Sequence, residues 1–285
     1  MAEQAKILVV NADDFGLSEG INSGILSAFH HGILRSTSLM PNGSAFEHAV
    51  KNALETPGLG VGIHLSLVGE KSVAPASELG ALADENGLLP SSYPVFTRQF
   101  VGRKFTPGQV RTEIHAQVEK ALAAGIKPTH IDSHQHLHML PGVFDIVIEV
   151  AKWAGISVIR VPLERDGPGP RGISARLIQT WVLSRIARSR LQQVQASGLR
   201  TADWFWGLGV SGKMNEANLM KTLQRLRPGV NEIMCHPGQS DPETEAHYSW
   251  GYSWNAEAAA LQSESVLRYV KENNIRLANF ADAWE

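Results

Sequence analysis

Carboxylates and imidazoles recur in this chain where apolar runs end. The first run, Ile7 to Val10, leads into Asn11-Ala12-Asp13-Asp14-Phe15-Gly16, and a later one contains Gly62-Ile63-His64-Leu65. A third gives His130-Ile131-Asp132-Ser133-His134-Gln135-His136-Leu137-His138, and a late one ends Cys235-His236-Pro237-Gly238. Two adjacent carboxylates repel, and one pKa rises unless a cation lies between them. A divalent metal held by one of the pair supplies that cation. The period of two in a strand sends Asp13 and Asp14 to opposite sides, one toward a metal and the other toward an attacking water. The same pair also suits the N-cap of a following helix.

His130, Asp132, His134, His136 and His138 all occupy even positions, so an extended segment would place them on one face. Imidazole is the commonest metal ligand, but the set exceeds what one metal needs. Asp132, His136 and His138 are therefore expected to bind substrate or to brace the ligands. A solvated loop would also account for the run. His64, alone in an apolar strand, reads either as a ligand or as a satisfied interior residue. His236 reads as a general acid at the mouth of a barrel or as a turn residue. Arg160 interrupts Val158-Ile159-Arg160-Val161. If it points inward it needs a carboxylate, for which Asp13 is the candidate, and if outward it joins a surface pair.

The elements that must position these groups alternate. Short β-branched runs (7–11, 34–40, 59–67, 129–132, 158–161, 232–235, 275–280) are separated by segments of helical period, as in βα units around a parallel sheet. About six to eight such units over 285 residues favour a distorted or incomplete (β/α) barrel over an open doubly wound sheet. All strand C-termini then converge on one face, where this fold builds its active sites. Residues 69–107, rich in Pro and Gly, read as a long loop. The whole chain, 1–285, reads as one domain.

Composition narrows the function. With 26 Lys plus Arg against 28 Asp plus Glu and a formal charge of -2, nothing global favours nucleic acid. The single cysteine, Cys235, excludes an internal disulfide framework. The apolar run before Asn11 is only four residues long, Ile7 to Val10, too short for a signal peptide, so the protein is expected to be cytoplasmic. No run is long enough to span a bilayer, which leaves peripheral contact with the inner membrane face as the form of membrane association.

The motifs from Asn11 to Gly16, Gly62 to Leu65 and Thr129 to Met139, in this order and spacing, resemble those of the YdjC-like carbohydrate deacetylases, which remove acetyl groups from N-acetylated amino sugars. The likeness runs from about residue 6 to 162 and resumes at Cys235-His236-Pro237-Gly238. It implies a barrel of the glycoside hydrolase/deacetylase type and one divalent metal, with Asp14, His64 and His134 as ligands and Asp13 as catalytic base. Magnesium is the metal the resemblance implies, whereas two imidazoles and a carboxylate suit zinc or another transition metal. Asp203-Trp204-Phe205-Trp206-Gly207-Leu208 and the preceding segment resemble the branch called hopanoid biosynthesis-associated protein K, which implies an N-acetylglucosamine carried by a hopanoid lipid as substrate.

From Arg171 to Arg200 there are six arginines and no acid, with Ile173, Leu177, Ile178, Trp181, Val182, Ile186 and Leu191 at roughly helical spacing. Such a helix can lie at an anionic membrane surface, pack its apolar stripe on the barrel, or join a second copy in a homodimer. The expected reaction is metal-assisted amide hydrolysis: Asp13 takes a proton from water, Arg160 orients Asp13, and His236 protonates the leaving amine. The rivals are a metal-dependent hydrolase of another ester or amide, and a noncatalytic glycolipid-binding protein. The latter would use Trp204 and Trp206, together with Tyr248, Trp250, Tyr252 and Trp254, as an aromatic platform.

Overall fold

The computed structural model describes residues 5–164, 175–240 and 242–285, with the side chains of residues 175–184 and 243 outside the description. Among the described residues there are seven strands: β1 (Lys6–Phe15), β2 (Ser36–Leu39), β3 (Gly60–Leu65), β4 (Ile131–Ser133), β5 (Trp204–Trp206), β6 (Gly229–Cys235) and β7 (Arg276–Leu277). Six of them pair in the order β4-β3-β2-β1-β6-β5, all parallel, and the sheet curls into a half-barrel with helices outside. β7 pairs with the start of β1. Beyond β4, Ile131 pairs with Ile159 and Val158 with Arg200, so single bridges rather than a full strand carry the hydrogen-bonded path toward β5. That is the distortion in the barrel.

Leu8, Val9 and Val10 are all fully buried, as expected for a central parallel strand covered on both faces. The flanking helices begin at recognisable signals. Ser18 caps Glu19–His31 by accepting from the Ile21 amide, and Thr106 with Gln109 forms a capping box ahead of Pro107–Ala123. At one end of the interior Val9, Val158, Val230, Ala278 and Phe280 form an apolar plug. Two residues further along the strands, Asn11, Ser38, Asp132, Arg160 and Glu232 form a buried polar layer, and the candidate site lies above it.

Besides the expected strand 158–161, which forms only single bridges, the structure departs from the sequence expectations at four places. β1 continues past Asn11 to Phe15. The stretch 69–107 contains the helices Ala76–Leu79 and Tyr93–Val101, the latter held by ring contacts among Phe96, Phe100 and Phe105. β5 and the helix Glu216–Leu223 had no sequence signal strong enough to read; three residues are too few to show a period. Finally, His134–Met139 is a 3-10 segment in which Gln135 and His136 have φ of 54° and 55°, so the even-numbered residues do not share a strand face.

The basic segment is only partly described. The backbone of 175–196 is helical, and the side chains of Arg171 to Ser184 lie outside the described residues. From Arg185 on, Ala187 and Val194 are buried, Ile186 and Leu191 pack on the core, and the Arg190 guanidinium lies 5.2 Å from the Phe144 ring centroid. This part of the apolar stripe therefore packs on the barrel. Among the described residues no helix is long and apolar enough to cross a membrane.

Candidate active site

The site begins with a break in β1. Pairing with β2 shifts register between Ala12 and Phe15, and Asp14 adopts φ 68°, a left-handed conformation that Asp tolerates better than most residues. The bulge cancels the alternation that would separate two neighbours, so Asp13 and Asp14 both face the interior. Phe15 then re-enters the sheet opposite Leu39, and its carbonyl accepts from the Met40 amide at 2.7 Å.

Asp14 lies between two histidines. Its Oδ1 is 3.0 Å from His134 Nδ1 and 3.3 Å from His64 Nε2, while its buried Oδ2 has no hydrogen-bond partner. Burial alone would raise the Asp14 pKa, but the charge of His134, its hydrogen bond and those of His64 bring it well below the usual value. On the far side of His64, Nδ1 donates to Asp132 Oδ1 at 2.7 Å, which leaves Nε2 aimed at Asp14. Burial disfavours the charged ring, yet Asp132 and Asp13 together push its pKa up to about 10. The positive φ values at Gln135 and His136 turn the chain so that His134, just past β4, reaches Asp14. One donor atom each from Asp14, His64 and His134 lies within 4.8 Å of the others, and all three residues are buried. An anionic oxygen, two imidazole nitrogens and an unpaired carboxylate oxygen form a set that fits a divalent metal.

Below this cluster Arg160 is 1% exposed and serves three carboxylates. Its Nη1 and Nη2 grip Asp13 in a two-point contact, each at 2.7 Å, Nη1 also reaches Asp132 Oδ2 at 2.6 Å, and Nε donates to Glu232 Oε1 at 2.6 Å. Fixed forks of this kind define the orientation of a carboxylate as well as holding it. Asn11 Nδ2 adds a bond to Asp13 Oδ1 at 3.0 Å. Burial pushes Glu232 up to about 7 against the lowering effect of Arg160, whereas for Asp132 the charges of Arg160 and His64 outweigh burial and lower the pKa.

The remaining sequence candidates divide by where their polar atoms point. Asp132 is fully buried, with its oxygens taken by His64, Arg160 and Ser38, so it braces the His64 ring and offers no free oxygen to a substrate. His138 Nε2 donates to the Arg160 carbonyl at 3.0 Å, and its Nδ1 accepts from Ser133 Oγ at 2.6 Å. His136 is half-buried, its ring 6.3 Å from that of Phe205 and its Nδ1 without a partner. His236 directly follows β6, with an unpaired buried Nδ1 and its ring 4.6 Å from that of Tyr252, and Glu257 accepts from its backbone amide. Trp204 and Trp206 do not join the cluster. Their indoles donate to the Pro228 carbonyl and to Asn231 Oδ1, and it is Phe205 between them that lies near Arg160 and His136.

Sequence reasoning missed Glu232, Ser38 and Asn11. Glu232 carries the signal that singled out Arg160, a charge inside an apolar strand. Ser38 takes a bond from Asn11, donates to Asp132 and lies 2.9 Å from His130 Nε2, a role that no spacing reveals. His130 itself sits below the site in a slot that exists because residue 62 is glycine: a Cβ there would come within 2.3 Å of its ring.

The His138 pocket makes a pH prediction. Burial is the main cause that pulls His138 down to about 4, against about 6.5 in an unfolded chain. Between these values the unfolded state binds a proton that the native state does not, so this residue's contribution to stability falls as the pH falls from 6.5 to 4. Glu232, with its pKa raised, acts in the opposite sense, while Asp14 and Asp132, with theirs lowered, act in the same sense, which makes a difference measurement the right readout. The stability advantage of wild type over His138→Gln should shrink by up to about 1.4 kcal/mol per pH unit in this window. Urea unfolding at pH 7, 6 and 5 checks it, and parallel curves for the two proteins would contradict it.

The curled parallel sheet places the chain among distorted (β/α) barrels, with a buried Asp/His/His cluster that could hold a metal, and comparison with known proteins makes the family specific. Residues 7–272 match the YdjC-like protein family, and the chain belongs to it. It is 31% identical over 276 residues to a carbohydrate deacetylase of Thermoanaerobacter pseudethanolicus, covering 97% of this chain and 98% of that one. It is also 31% identical over 283 residues to a chitooligosaccharide deacetylase of Yersinia pestis, covering 97% and 99%. Among solved structures, a provisionally assigned cellobiose-phosphate cleavage protein of Enterococcus faecalis aligns with a TM-score of 0.75 and 25% identity, over 97% of this chain and 98% of that one.

Proposed function

We propose that this protein is a metal-dependent hydrolase that removes the N-acetyl group from an acetylated amino sugar, with one catalytic domain spanning the chain. The observation that carries the reading is the Asp14, His64 and His134 donor set, with the unpaired Asp14 Oδ2, lying directly beside an Arg160-clamped Asp13. The names of its relatives point to the same chemistry. Asp14, His64 and His134 would hold the ion, and this set favours zinc or another transition metal over magnesium, which prefers oxygen donors. When bound, such an ion supplies Lewis acidity, lowering the pKa of water and polarising an amide carbonyl.

The chain's own residues supply the rest. Asp13 accepts the proton of the attacking water, and Arg160 and Asn11 fix the direction its carboxylate faces. Asp132 holds the His64 ring and its Nδ1 proton, so that Nε2 remains the donor atom. His236 delivers a proton to the leaving amine. The finer substrate reading is an N-acetylglucosamine carried by a hopanoid lipid, supported by the arginine-rich, acid-free sequence from Arg171 to Arg200, which would suit an anionic bilayer surface.

Acetate release from N,N′-diacetylchitobiose and from a hopanoid-linked N-acetylglucosamine tests both levels. Wild type should hydrolyse both, and Asp13→Asn should lose on the order of 10³-fold in kcat. Turnover of the disaccharide alone would remove the lipid reading, and undiminished turnover by Asp13→Asn would remove Asp13 from its role.

A further inference from the structure

We propose that the segment Tyr248 to Tyr252 is the wall against which the pyranose ring of the acetylated sugar packs, with the Trp250 indole as its platform. The inference deepens the deacetylase reading and rests on it. A continuous series of rings links the two sides of the site. Trp250 lies 4.9 Å, centroid to centroid, from the candidate ligand His134, and 4.9 Å and 5.5 Å from Tyr248 and Tyr252, while Tyr252 lies 4.6 Å from His236.

Both ends of the segment are pinned. Tyr248 is buried, and its hydroxyl donates to Glu70 Oε1 at 3.1 Å, in the loop that follows β3. The Tyr252 ring fills a slot over Gly212, where a Cβ would come within 2.1 Å of it. Between the pins Trp250 remains only half-buried, and a Cβ on the neighbouring Gly251 would meet nothing within 4 Å, so the chain is open to solvent there. Trp254, by contrast, is 2% exposed and belongs to the core.

Trp250 contacts the ring of His134, whose Nδ1 meets Asp14, and Tyr252 contacts that of His236. Asp14 Oδ2 and His236 Nδ1, beside these two rings, are among the buried polar atoms that lack partners. An aromatic surface beside a few unpaired polar groups is the usual composition of a site for a small polar ring, and a pyranose matches it with C–H faces and a hydroxyl rim. The acetamido group would turn toward the unpaired atoms and the ring would lie on the indole, within reach of Glu70 as a hydroxyl acceptor. Pinning both ends before the sugar arrives reduces the ordering cost of binding.

The test is isothermal titration of N,N′-diacetylchitobiose into wild type, Trp250→Ala and Trp250→Leu, alongside KM and kcat for acetate release and metal content. The leucine variant keeps apolar volume and removes the flat ring, which guards against a misfolded alanine variant. Both should weaken Kd by about tenfold or more, with KM rising in step, kcat within about threefold and bound metal unchanged. A Kd within about twofold of wild type in both variants overturns the proposal, as does wild type that binds no disaccharide. Trp250-dependent binding without acetate release would leave the sugar wall standing and remove the deacetylase reading.

Discussion

Asp14→Asn is expected to abolish metal retention and to cut acetate release by at least about 10³-fold, equivalent to about 4 kcal/mol of transition-state stabilisation. The substitution is chosen for the backbone as much as for the charge. Asp14 sits at φ 68°, where Asn is tolerated but Ala is strained, so the asparagine variant should keep the bulge that turns both carboxylates inward. What it removes is the anionic oxygen that His64 and His134 both approach. Elemental analysis after gel filtration, read with kcat/KM, separates the outcomes. Unchanged metal stoichiometry with lost activity would move Asp14 from ligand to catalytic group, and unchanged activity would remove it from the site.

Arg160→Met should be the most destabilising single change in the interior, by about 3–5 kcal/mol. Methionine fills much of the volume but leaves the carboxylates of Asp13, Asp132 and Glu232 without their shared cation in a fully buried layer. Glu232, already pushed up to about 7 by burial, should respond by taking a proton. Adding Glu232→Gln to Arg160→Met should therefore recover part of the loss, and the double-mutant cycle should show a coupling of about 1–2 kcal/mol. Denaturant unfolding of the four proteins measures it. An Arg160→Met variant within about 1 kcal/mol of wild type would mean that the three carboxylates do not depend on the guanidinium.

The chemistry was more legible in the sequence than the geometry that delivers it. Asp13, Asp14, His64 and His134 stand out because polar residues rarely end apolar strands without cause, and the structure brings all four together. How they meet was not readable. Alternation separates Asp13 from Asp14, and only the left-handed turn at Asp14 reunites them; that turn depends on Phe15 rejoining β2, a tertiary event. The even spacing of His130 to His138 implied one face, but left-handed residues at 135 and 136 send His134 to Asp14 and His138 back to the Arg160 carbonyl. On β5, bulk drew attention to Trp204 and Trp206, while Phe205 is the residue that reaches Arg160. The parallel barrel was readable from the repeating βα rhythm, but the strand expected at 158–161 is reduced to single bridges at Val158 and Ile159, a difference that a β-branched run does not reveal.

The most direct test of the central claim is acetate release from N,N′-diacetylchitobiose by protein stripped of metal and then supplied with single divalent ions. The account predicts no release from stripped protein, recovery in wild type with one ion bound per chain, and no recovery in Asp13→Asn even when it binds the same ion. Full activity in the stripped protein, or equal recovery in Asp13→Asn, would contradict it.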